Sequence, residues 1–162
     1  MAEEESSLEN PKRDYEKLRK KYVLPGFKQL NEEFEIEKIA EHETDFVLRE
    51  IRKHMMDKLI AYLRFIEMLL NPSNAPIFFF ALVKGMTAGD KKLLDNLYGR
   101  LGEFEIDVIA LDCRYDEKEE ADFINKVVLK WKGIADDMLT LSETLKRNWK
   151  QKSGKNERGY FG

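Results

Sequence analysis

Any chemistry in this chain would have to come from few groups: His42, His54, a single cysteine, Cys113, and the charged side chains that make up 36% of its 162 residues. Metal sites and acid–base pairs draw on His, Cys and carboxylates at short, fixed spacings. Three residues before the two histidines stand Ile39 and Ile51, so the Glu-x-x-His pairs that hold di-iron inside helical bundles do not occur. A glycine-rich phosphate loop, Gly-x-Ser-x-Gly, His-Glu-x-x-His and paired Cys-x-x-Cys are equally missing. The expectation is therefore no metal and no cofactor. Asp107, Asp112, Asp116, Glu117, Glu119 and Glu120 are dense but lack the spacing of a calcium loop, and fit a helix start better. Cys113, between Asp112 and Arg114, reads as a half-buried, inert thiol.

The segment Arg49-Glu-Ile-Arg-Lys-His54 resembles the Arg-x4-His element of HEPN-type ribonucleases, small helical bundles that join two such elements across a dimer. The resemblance implies His54 as general base toward a ribose 2′-hydroxyl and Arg49 as the cation facing charge that builds on the phosphate. The plainer reading makes Arg49, Arg52 and Lys53 a solvated helix face and Glu50 with His54 an i, i+4 pair. Near the C-terminus, Lys146, Arg147, Lys150, Lys152, Lys155 and Arg158 stand against Glu157 alone, with Trp149, Tyr160 and Phe161 among them. Cations for phosphates and rings for bases are what single-stranded nucleic acid requires. The same cations also suit a helix C-terminus, and Trp149 falls in phase with a core stripe.

The elements that must carry these groups are helical. Asn10-Pro11 reads as a helix start after a loose acidic arm over residues 1–10. Leu24-Pro25-Gly26 interrupts, and Phe27, Leu30 and Phe34 resume a helical spacing to about Glu43. Val47, Ile51, Met55, Leu59, Leu63, Ile66 and Leu70 keep steps of three or four, predicting one long helix over about 44–70 that Asn71-Pro72 ends. Residues 75–84, with Asn74 as cap, read as a short helix apolar on every side and needing neighbours all round. Thr87 with Asp90, and Asp116 with Glu119, are capping-box signatures. Residues 104–113 alternate like a strand yet also continue a helical stripe; helix is preferred, since no other segment could pair with a lone strand. The last long helix, about 117–151, carries Ile124, Val128, Trp131, Ala135, Met138, Ser142, Leu145 and Trp149 at heptad steps. Two long helices with matching stripes give an all-α fold, an antiparallel helical bundle with shorter helices, over residues 11–151 as a single domain. A basic, aromatic tail follows at 152–162.

Composition narrows the function classes. A 43% hydrophobic content is too high for a disordered chain, and a formal charge of -3 gives no global pull toward nucleic acid or anionic membrane. The most apolar window, residues 76–83, is far short of the roughly 20 residues of a membrane span and reads as core. One cysteine and no apolar stretch near the start indicate a reducing, cytoplasmic setting. The expected function is non-enzymatic: macromolecular interaction through a protein partner or self-association, with no membrane. The alternatives are the HEPN-like ribonuclease using Arg49 and His54, and RNA or DNA binding through the basic tail.

Overall fold

A computed structural model describes the backbone of residues 2–41 and 44–160 and the side chains of residues 11–39 and 44–152. Among these residues there are six α-helices and no strand: α1 (Ala2–Tyr22), α2 (Phe27–Phe34), α3 (Val47–Leu70), α4 (Phe78–Val83), α5 (Ala88–Cys113) and α6 (Glu117–Tyr160). Short 3-10 turns cover Ile36–Glu41 and Pro72–Asn74. The chain is an all-α helical bundle.

Two compact units divide it. The first takes residues 1–60 and 104–130, the second 61–103 and 131–162, so the division falls inside α3, α5 and α6 rather than in a linker. The two long helices expected over about 44–70 and 117–151 are α3 and α6, and α1 and α5, of 21 and 26 residues, are long as well. α3 and α6 each run from the first unit into the second, and α5 runs from the second into the first. The stretch 104–113 lies within α5, so the helical stripe outweighs the local alternation.

Local signals explain most boundaries. Thr87 and Asp90 close a reciprocal capping box, the Asp90 amide donating to Thr87 Oγ1 at 3.2 Å and the Thr87 amide to Asp90 Oδ2 at 2.9 Å. At α6 only half a box forms: the Glu119 amide donates to Asp116 Oδ1, while the Glu119 carboxylate turns to Arg114. At the other end of the chain α1 runs through Asn10-Pro11, with Pro11 inside the helix instead of at its start. Helical backbone thus takes in residues 2–10 and 152–160, read above as arm and tail. α1 stops at Val23, which adopts a left-handed φ of 53° while the Leu24 amide donates back to the Arg19 carbonyl at 3.1 Å. The helix expected to reach Glu43 stops at Phe34, where Glu35 is also left-handed and a 3-10 turn takes over.

In the first unit Tyr15, Leu30, Ile36, Leu48, Met55, Phe104 and Ile124 are fully enclosed. Burial of the Tyr15 hydroxyl, which donates to the Pro25 carbonyl at 2.6 Å, raises its pKa far above that of a free phenol. The second unit buries Leu63, Ile66, Leu94, Leu97, Leu101, Ile134 and Leu141. On α6 the enclosed row runs Ile124, Val127, Trp131, Ile134, Leu141, Leu145 and then Asn148, so Trp149 lies outside it and is 42% exposed. Val128 and Met138, placed in the seam above, are half-buried beside that row.

Candidate binding surface

In the first unit two arginines of α3, Arg49 and Arg52, turn inward, while Lys53 stays exposed. Arg52 was expected on a solvated face, yet its side chain is 1% exposed and that of Glu120 is 0% exposed. Its guanidinium forms a fork on Glu120, Nε to Oε2 at 2.8 Å and Nη2 to Oε1 at 3.0 Å, and gives Nη1 to Asp112 at 2.8 Å. Burial lowers the Arg52 pKa, but the hydrogen bonds of Glu120 and Asp112 outweigh it and the net shift is upward. Arg49 joins the same cluster, donating Nε to Glu120 at 3.3 Å and Nη2 to the Leu111 carbonyl at 2.8 Å, with Tyr115 beneath its guanidinium. The Arg49 fork is thereby occupied. His54 faces elsewhere, into a depression shared with Glu33, Phe34, Asp57 and Lys58. The structure does not bring Arg49 and His54 to one site.

The acidic run is likewise built into the fold. Asp107 pairs with Lys126, Glu119 with Arg114 and Glu117 with Lys21. The Tyr22 hydroxyl donates to Glu117 at 2.7 Å and holds that carboxyl below its usual range; desolvation opposes the shift and Lys21 adds to it. Among the described residues no group of His, Cys, Asp and Glu is arranged to hold a metal ion. Cys113, the last residue of α5, is exposed rather than half-buried. His42 lies outside the described residues.

The second unit presents a different surface. α4 has only six residues and cannot be covered on all sides: Phe79, Ala81 and Leu82 face inward, while Phe78 and Phe80 stay 43% and 49% exposed and the preceding Ile77 81%. Phe78 packs on Trp149 of α6, ring centroids 5.1 Å apart, and edge-on to Phe79 at 5.5 Å. The Lys152 ammonium stands 5.8 Å from the centre of the Trp149 ring. Asn148, 8% exposed, pins α4 to α6 by donating Nδ2 to the Leu82 carbonyl at 2.6 Å. Gly85 makes this possible, since a Cβ there would stand 2.9 Å from Asn148 Oδ1. Beside the pin is a depression of about 410 Å³ lined by Phe80, Lys84, Gly85, Gln151 and Lys152. Comparison with protein-family models, curated proteins and solved structures gives no match. Function must be read from the surface itself.

Of the cations singled out above, Lys146, Arg147, Lys150 and Lys152 are exposed on α6, and Lys152 lines the depression beside Phe80. Lys146 pairs with Glu143, and Arg147 donates to the Thr144 hydroxyl. The side chains of Lys155, Arg158, Tyr160 and Phe161 lie outside those described. The apolar half of the patch, Ile77, Phe78 and Phe80, escapes a reading that treats the run as core. Its signal was a helix too short to have two covered faces. No helix among the described residues is long and apolar enough to cross a membrane.

Proposed function

We propose that this protein works by binding another macromolecular body rather than by chemistry, and that its working surface is the aromatic and basic patch of α4 and the end of α6. The observation that carries this reading is the coincidence of Ile77, Phe78, Phe80 and Trp149, all exposed, with Lys84 and Lys152. Exposed apolar groups ringed by charge are the usual mark of an interaction site. The ribonuclease alternative draws no support from an Arg49 whose fork is already engaged. The lone, exposed Cys113 favours a reducing compartment such as the cytoplasm. Velocity sedimentation of extracts from the native cells tests the proposal. Wild-type protein is expected with material heavier than its own 19.1 kDa, and the Ile77→Glu/Phe80→Glu double variant as the free chain. A double variant that still travels with the wild type contradicts it.

A second reading, self-association, rests on the first unit. Ile106 and Ile109 of α5 are 69% and 63% exposed, and Leu129 of α6 is 83% exposed. Ile106, Ile109 and Ala110 share one helix face, the spacing by which a second helix is gripped. An Ile106→Glu/Ile109→Glu variant is expected to convert any dimer seen by light scattering to monomer; equal masses contradict the reading.

A further inference from the structure

We propose that the partner of the α4 and α6 patch is an anionic lipid surface, an inference that rests on the patch being the working surface. From Asn71 to Val83 the chain has thirteen residues without a charge, in a sequence that is 36% charged. This uncharged stretch carries the exposed Ile77, Phe78 and Phe80, and it ends at Lys84. In the end of α6 Lys146, Arg147, Lys150 and Lys152 are opposed within residues 143–152 by the single carboxylate of Glu143, and of these Lys152 stands at the patch, over the Trp149 ring and beside Phe80. An apolar tip flanked by Lys84 and Lys152, on a helix end of net positive charge, complements a bilayer whose headgroups are negative and whose interior begins a few ångströms below.

The packing of the rings favours lipid over nucleic acid. A base stacks only on a free aromatic face, and Trp149 has Phe78 tilted against it and the Lys152 ammonium over it. Phe78 in turn has Phe79 at its edge. The side chain that protrudes furthest is aliphatic: Ile77, 81% exposed, offers no face to a base but ordinary apolar area to acyl chains. Lys84 and Lys152, both at the rim of the depression beside Phe80, stand where phosphate headgroups would meet the tip.

Co-sedimentation of the full-length protein with vesicles tests the inference, using phosphatidylcholine alone and phosphatidylcholine mixed with phosphatidylglycerol. Binding is expected to the mixed vesicles, to weaken steeply at high salt, and to shift Trp149 emission to the blue while Trp131, 6% exposed, does not respond. Ile77→Ser is expected to lower the partition coefficient roughly tenfold, and Lys84→Ser and Lys152→Ser about fivefold each. Unchanged far-ultraviolet circular dichroism separates these losses from unfolding. Failure to bind anionic vesicles, equal binding to neutral ones, or indifference to Ile77→Ser overturns the lipid inference. Binding to a single-stranded oligonucleotide that Lys152→Ser weakens, without vesicle binding, overturns it too while leaving the patch as the working surface. If the sedimentation profile in extracts is also unaffected by the Ile77→Glu/Phe80→Glu variant, the patch reading itself falls.

Discussion

Glu120→Ala should be the most damaging single change among the surface-type residues of this protein. Glu120 and Arg52 are both out of water, and the carboxylate receives two bonds from the Arg52 fork and one from Arg49. Removing one member of a buried pair leaves the other charge unpaired, at a cost of about 3–5 kcal/mol. Asp112, whose side chain is 54% exposed, still accepts from Arg52 Nη1 and holds the figure toward the lower end. For a chain of this length each kcal/mol moves the melting temperature by roughly 2–4 °C, so a drop on the order of 10 °C is expected by circular dichroism. The Arg52→Met/Glu120→Leu double variant should be far less harmed than either single variant, because the desolvation cost and the attraction vanish together. A Glu120→Ala cost under about 1 kcal/mol, the value of an exposed pair, would refute the reasoning.

Three further outcomes follow from other parts of the structure. Gly85→Ala should destabilise by about 1–3 kcal/mol through contact with Asn148 Oδ1, and more than additive recovery in Gly85→Ala/Asn148→Ala, read in urea unfolding, would identify the contact as the cause. Val23→Gly should stabilise by up to about 1 kcal/mol, since a β-branched residue there holds a left-handed φ that glycine adopts freely; a lower melting temperature would contradict this. Glu117 has a depressed pKa, so its bonds to Tyr22 and Lys21 add stability above the ordinary carboxylate range that is lost as pH falls through the depressed value. The difference between wild type and Glu117→Gln, at most about 1 kcal/mol for so exposed a group, should therefore be present at neutral pH and vanish in acid; a difference that grows in acid would have the wrong sign.

What the sequence conveys is set by how local each determinant is. The stripes of α3 and α6 and the Thr87 box depend on neighbours within one or two turns and can be read directly. The inward turn of Arg52 is half legible: Leu48, Arg52, Met55 and Leu59 advance by four, three and four, so an arginine stands in the core row. Glu120 does the same with Ile124, Val127 and Trp131, and Asn148 with Leu141 and Leu145. That these breaks are matched partners is invisible, because Arg52 and Glu120 lie 68 residues apart. The α4 patch is not legible from the sequence for a physical reason. A run of phenylalanines says that apolar surface exists, while its length, six helical residues, decides how much can be covered. Trp149 follows the heptad steps but misses the core by one position, since the enclosed row drifts onto Asn148.

The central claim, that the patch of α4 and α6 is where the protein meets its partner, is tested most directly by a photo-crosslinking residue placed in turn at positions 77, 80 and 132 in the native cells. Ile77 and Phe80 belong to the patch, whereas Lys132 is an exposed residue of α6 outside it. The account predicts abundant adducts from 77 and 80 and background levels from 132. Equal yields from all three positions, or adducts from 132 alone, would contradict it.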